Sequence, residues 1–168
     1  MTREAHLAQA FIAAADTLKD DFEITDFLGA PAGHCVRLLD VDAAGLLLAD
    51  QRGRLQTTAA SSENARLLER FELQADTGPC LEAYRTGEPV VNADLQAGQD
   101  RWPRLAEAAQ VTGFRSTHVL PLRVRTTRIG VFNLLCTRTA VLNTSDVNIG
   151  QALADVASIG VLARRNHH

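Results

Sequence analysis

The chain has 168 residues, 46% of them hydrophobic and 22% charged, which fits one globular domain able to bury about two thirds of its unfolded surface. Its net charge of −3 argues against a dedicated nucleic-acid binder, and no run reaches the roughly 18 apolar residues of a membrane helix. Three scattered cysteines, Cys35, Cys80 and Cys136, form no CxxC, which argues against a disulfide framework and against a structural zinc site.

The N-terminal stretch lacks a basic start and ends acidic, so no secretory signal is read there and a soluble cytoplasmic protein is expected. Glu4–Leu18 places Leu7, Phe11, Ala14 and Leu18 at helical spacing. Ile24–Leu39 is again mainly helical, but Gly29, Pro31 and Gly33 predict a bend or a restart. Ala43–Leu48 and Leu55–Ala60 read as strands joined through Asp50–Arg54, with Gly53 in the turn. Ser61 or Ser62 caps a helix to about Phe71, with Leu67, Leu68 and Phe71 inward. Pro79–Thr86 is a short helix opened by proline and closed by Gly87. Pro89–Ala93 reads as an edge strand and Trp102–Gln110 as a further short helix. Thr117–Val124 and Arg128–Thr137 make a hairpin through Arg125–Thr127. Asn143 or Thr144 caps a long helix, Ser145–Arg164, with a stripe of Ile149, Ala152, Leu153, Val156, Ile159, Gly160 and Ala163. An antiparallel sheet with helices on both faces, an α+β fold, accounts for this order. One domain over residues 1–166 is expected, with His167 and His168 set aside as a possible tag remnant.

The segment Phe71–Phe114 holds Phe71, Tyr84 and Trp102, including the only tyrosine and the only tryptophan. Amphipathic aromatics of this kind line small-molecule pockets, and they equally pin short helices onto a sheet. Cys80 follows Gly78-Pro79 at a helix N-terminus, where the helix dipole favours a thiolate; a buried inert thiol is the commoner outcome. His118 shares a strand face with Leu120 and Leu122, the setting of a hydrogen-bonded core histidine, and haem ligation is not expected. Asn133, on a face with Val131 and Leu135, reads as a clamp on backbone. Asp76 and Asp94 read as cap or turn residues. Between Glu107 and Asp146 there is no acid, while Arg115, Arg123, Arg125, Arg128 and Arg138 add positive charge; these read as solvated residues around a hairpin tip, with a docking patch as the sharper reading. No nucleophile elbow, Gly-rich phosphate loop or HExxH occurs, so no catalytic residue and no metal are assigned.

Several phrases together resemble the GAF domain, in particular those that precede RNA-binding ANTAR domains in actinobacterial antitermination regulators. They are LLDVDAAGLLLAD (38–50), AASSENARLLERFEL (59–73), GPCLEAYRTGEPV (78–90), RWPRLAEAA (101–109), GFRSTHVLPLRVR (113–125), IGVFNLL (129–135) and ALADVASIGVL (152–162). The Gly29–Gly33 stretch departs from the continuous leading helix of that family, and the chain ends where an ANTAR module would begin. Two readings of that end stand, a piece of a longer protein or a freestanding sensor, and no direct nucleic-acid binding is expected of this segment. The resemblance implies a GAF-like, PAS-related antiparallel sheet of five to six strands. Terminal helices would lie on one face, and short helices would cover a pocket on the other. It further implies a non-enzymatic sensor; the clustered amphipathic aromatics place its small ligand around Cys80–Tyr84 and Trp102, with Phe71, Cys80, Tyr84, Trp102, His118 and Asn133 as the candidate ligand-binding residues. A homodimer through Leu7, Phe11, Leu153, Val156 and Gly160 is also implied. The alternatives are a ligand-free dimerisation and interaction module, and a thiol sensor or reductase using Cys80, by analogy with the GAF proteins that reduce free methionine sulfoxide.

Overall fold

A computed structural model describes residues 39, 41–96, 101–139 and 142–165. The two predicted N-terminal helical segments, with Leu7, Phe11 and Cys35, lie outside the described residues except for Leu39, which is a buried turn residue. In chain order the elements are β1 (Ala43–Ala49), β2 (Leu55–Ala60), α1 (Glu63–Ala75), α2 (Pro79–Thr86), β3 (Val90–Asp94), α3 (Pro103–Thr112), β4 (Ser116–Val124), β5 (Thr127–Cys136) and α4 (Thr144–Arg165). The strands pair antiparallel in the order β2-β1-β5-β4-β3. β1 is buried along its whole length, as its uninterrupted AAGLLLA run requires of a strand covered on both faces.

Local chemistry sets the element ends. The Asp50 carboxylate accepts from the backbone N–H groups of Arg52 and Arg54, which closes the β1–β2 turn and holds the Asp50 pKa below its ordinary value. Ser62 Oγ caps α1 by accepting from Ala65 N. Asn143 and Asp146 cap α4 reciprocally: the Asn143 side chain accepts from Asp146 N, and the Asp146 side chain from Asn143 N.

The sheet separates two apolar layers. On one face Leu46, Leu120, Leu122, Phe132 and Leu134 pack under α4, against Leu153, Ala154, Ala157 and Val161. On the other, Leu47, Val119, Val131 and Leu135 pack under α1, α2 and α3 with Leu68, Cys80, Trp102 and Leu105.

Two expected helix faces are partly rotated, with Leu68 on α1 and Leu153 and Gly160 on α4 buried as expected. α1 turns Ala65, Leu68, Glu69 and Glu72 inward, leaves Leu67 46% exposed and half-buries Phe71. α4 buries Gly150, Leu153, Ala154, Ala157 and Val161 and leaves Ile159 56% exposed. Alanine, glycine and valine surround α4 so evenly that its own periodicity does not select the inward side; packing on β4 and β5 does.

The arginine-rich stretch is largely compensated locally. Arg115 pairs with Asp94 and Arg138 with Asp42, while Arg123 and Arg128 donate to the backbone carbonyls of Gly87 and Arg85 at the end of α2. These bonds match the reading of hairpin-associated surface residues.

A bulge in β3 ties this edge strand to β4 and to the start of α4. Asn92 lies at φ 57° with its N–H turned to His118 Nδ1 at 2.8 Å, and its side-chain oxygen accepts from Leu142 N at 2.8 Å, just before α4. Asn92→Ala should therefore cost about 1–2 kcal/mol, from the lost bond and the left-handed backbone, and lower Tm by about 3–6 °C in a thermal melt.

Candidate functional site

The residues with unusual chemistry collect where α1 meets the sheet. Glu69 is fully buried and Glu72 is 3% exposed, one turn apart on α1. Glu69 Oε2 accepts from Asn133 Nδ2 at 3.0 Å, and Thr117 Oγ1 donates to Asn133 Oδ1 at 2.6 Å, so α1, β5 and β4 share one chain of bonds. Gly45, opposite Asn133 in β1, leaves the space the Glu69 carboxyl occupies; a Cβ there would overlap it. The other carboxyl oxygen, Oε1, is buried without a hydrogen-bond partner.

Glu72 faces the N-terminus of α2. Its Oε2 accepts from Cys80 N at 2.7 Å, in place of a cap that Gly78 has no side chain to supply. Gly78 permits this at φ 136°, and a Cβ on it would strike the Glu72 side chain.

Burial dominates the titration of all three groups. It raises the Glu69 pKa to about 8, opposed by the Asn133 bond and helped by the Glu72 charge, and raises Glu72 to about 7 against the Cys80 and Leu81 N–H donors. The Cys80 thiol is pushed well above its ordinary value by burial first, then by both glutamates. The buried, inert thiol expected as the commoner outcome is what the structure shows: the Glu72 carboxyl occupies the helix end whose dipole would favour a thiolate, and Cys80 is 1% exposed. Native protein should accordingly react with a disulfide reagent at Cys80 at least about a hundredfold more slowly than unfolded protein, a difference a thiol-release assay reads directly.

The structure disperses the sequence-predicted residues. Cys80 and Asn133 meet the cluster through Glu72 and Glu69 respectively. Asn133 bonds side chains rather than clamping backbone. Trp102 is buried in the same layer, with the Arg101 guanidinium 4.2 Å from its ring centre and bonded onward to Glu82. Phe71 flanks that layer half-buried. Tyr84 lines a separate cleft of about 480 Å³, with Arg54 and Leu55 of the β1–β2 connection, Leu73 and Asp76 of α1, and Leu81 of α2. His118 lies on the opposite sheet face, beneath α4; burial lowers its pKa to about 4, and its Nε2 has no partner. Asp76 ends α1 in a left-handed conformation and pairs with Arg85, and Asp94 closes a turn on Gln96 N, both as expected.

Glu69, Glu72, Thr117, Gly45 and Gly78 were not among the predicted site residues. The available signal was the spacing Ala65, Leu68, Glu69, Glu72, an i, i+3, i+4, i+7 face that contains two acids. Among the described residues no group of three or more His, Cys, Asp or Glu is arranged to hold a metal ion, and no helix is long and apolar enough to cross a membrane.

An antiparallel sheet with helices closing over a buried polar cluster, and a long helix behind, defines an α+β domain with that cluster between sheet and helices. Residues 23–161 match the GAF domain family, and the chain belongs to it. No curated protein matches the chain. Solved structures share the fold at low identity. One is the GAF domain of a phosphoenolpyruvate-protein phosphotransferase from Coxiella burnetii, with TM-score 0.72, 13% identity, and 97% of this chain and 96% of that one covered. Another is free methionine-R-sulfoxide reductase from Neisseria meningitidis in complex with its substrate, with TM-score 0.70, 19% identity and coverage of 99% and 92%. A third is the phycoerythrobilin-bound GAF domain of a cyanobacterial phytochrome, with TM-score 0.66, 16% identity and coverage of 100% and 99%. One architecture thus carries several chemistries, and function has to be argued from the site.

Proposed function

We propose that this GAF domain is a non-enzymatic sensor that binds a small ligand between α1, α2 and the sheet and passes the binding state to an output domain. The Glu69–Asn133–Thr117 chain, with the unmatched Glu69 Oε1, carries this reading. A core built for packing alone would bury apolar side chains there, because each buried carboxyl without full hydrogen bonding costs about 1–3 kcal/mol. Ligand binding would shift the population of the two arrangements for which its affinity differs. The Asn92 bonds to His118 and Leu142 tie the β3 edge of the sheet to the start of α4.

The output we favour is an ANTAR-type RNA-binding antiterminator, on the strength of the phrases at 78–90 and 113–125. A homodimer through the terminal helices belongs to the same proposal. Leu153 and Gly160 are buried in this chain, so the proposed α4 contacts rest on Val156, half-buried, and Ile159, which is exposed.

Native mass spectrometry compared with the denatured mass tests both parts. A dimer carrying added mass is the expected result. A bare monomer at every concentration, together with no thermal shift across a metabolite panel, would sink the proposal.

A further inference from the structure

Glu69 and Glu72 have no ion pair among the described residues, although both lie in the core. The groups that bear on Glu69 are Arg66 and Glu72 on its own helix, Cys80 on α2 and Asn133 on β5. Arg66 is half-buried and makes no ion pair with Glu69, so its charge acts only at a distance. Glu72 is occupied by the α2 N–H groups. Glu69 is tied at Oε2 alone, and Oε1, with no accessible surface and no partner, is the unused polar atom of the layer. Leu47, Leu68, Leu105 and Val131 belong to the apolar cluster of the same layer.

We propose that this interface takes an aliphatic primary ammonium, held by the Glu69 carboxylate at Oε1, with Asn133 and Thr117 fixing the orientation of that carboxylate. The inference rests on the ligand-sensor reading and names the chemical class of its ligand. Charge decides the class. An anion would have no facing cation in this low-dielectric site, whereas an ammonium neutralises the Glu69 carboxylate it creates by displacing the proton, and gives Oε1 a donor. The alkyl body suits the leucines and valine of that layer. Metal ions are disfavoured as occupants, since no three ligating side chains converge among the described residues.

Binding would be linked to protons. With its pKa near 8, Glu69 is mostly a neutral acid at pH 7, so an arriving ammonium displaces its proton, and affinity should rise with pH between about 6 and 8. Glu72, near 7, reinforces that trend, while Cys80 stays protonated throughout the interval.

The test is titration calorimetry of the whole chain at pH 7 with n-butylammonium, 1-butanol and butyrate, in two buffers of different ionisation enthalpy. Saturation by the amine alone, with release of close to about one proton, is expected. Glu69→Gln, which keeps the shape and the Asn133 contact, should weaken the amine at least about tenfold and abolish most of the proton release. Without any variant, carbon-13 NMR of the glutamate carboxyls should show one titration near 8 fall below about 7 when the amine is added. Butanol or butyrate binding as well as the amine, or undiminished binding to Glu69→Gln, would overturn the ammonium class and leave the ligand reading standing. No binding by any probe overturns the class as well. If the native protein also carries no adduct, the ligand reading falls with it.

Discussion

Raising the pH from 6.5 to 8.5 should destabilise this protein by about 2–3 kcal/mol and lower its Tm by roughly 5–10 °C. Glu69 and Glu72 have folded pKa values of about 8 and 7, above the value near 4.5 of a free glutamate. Between those limits the folded chain holds protons that the unfolded chain has released, so stability falls as pH rises. The contribution is fully present below the unfolded pKa and is lost through the folded ones. His118 acts mainly in a lower interval: its folded pKa of about 4 lies below the ordinary 6.5, so it lowers stability on acidification and restores only about 0.4 kcal/mol between pH 6.5 and 8.5. Thermal melts at constant ionic strength read the effect, and the Glu69→Gln, Glu72→Gln double variant should flatten it. A Tm that rises over the same interval would mean that both carboxylates are ionised in the folded state and compensated by charge.

Gly78→Ala should cost roughly 3–4 kcal/mol and lower Tm by about 6–16 °C, since two penalties combine. At φ 136° an alanine is strained by about 1–3 kcal/mol. Its Cβ also displaces the Glu72 side chain, which leaves the buried Cys80 N–H without its acceptor for about 1–3 kcal/mol more. A double-mutant cycle separates the two. In a Glu72→Ala background the clash and the lost bond are already absent, so Gly78→Ala should cost only its backbone strain. Equal costs in both backgrounds would show that the contact between Gly78 and Glu72 carries no energy.

Punctuation made most of the architecture readable. Ser62, Pro79, Gly87 and Asn143 mark helix ends by the donors they supply or the conformations they allow, and each stands at the element end its chemistry predicts. Gly53 and the Arg125–Thr127 turn place both hairpins in the same way. Alternation along β4 and β5 puts His118 on the opposite sheet face from Thr117 and Asn133, whereas the candidate ligand-binding residues group His118 and Asn133 around one pocket.

The inward faces of α1 and α4 were not readable, and the site followed from one of them. Leu67 and Phe71 are the apolar residues that hydrophobicity alone sends inward from α1, yet the sheet offers Glu69 a notch at Gly45 and an amide at Asn133, and α2 offers Glu72 its N-terminus. Asn133 is 64 residues from Glu69 along the chain, and the other partners sit on separate elements, so no local window contains them. The sequence by itself determined the elements, their ends and the sheet-with-helices class, because capping, turn chemistry and periodicity act within a few residues. Only the tertiary structure decided that two acids belong in the core, because burial of a carboxyl is settled by groups that folding brings to it.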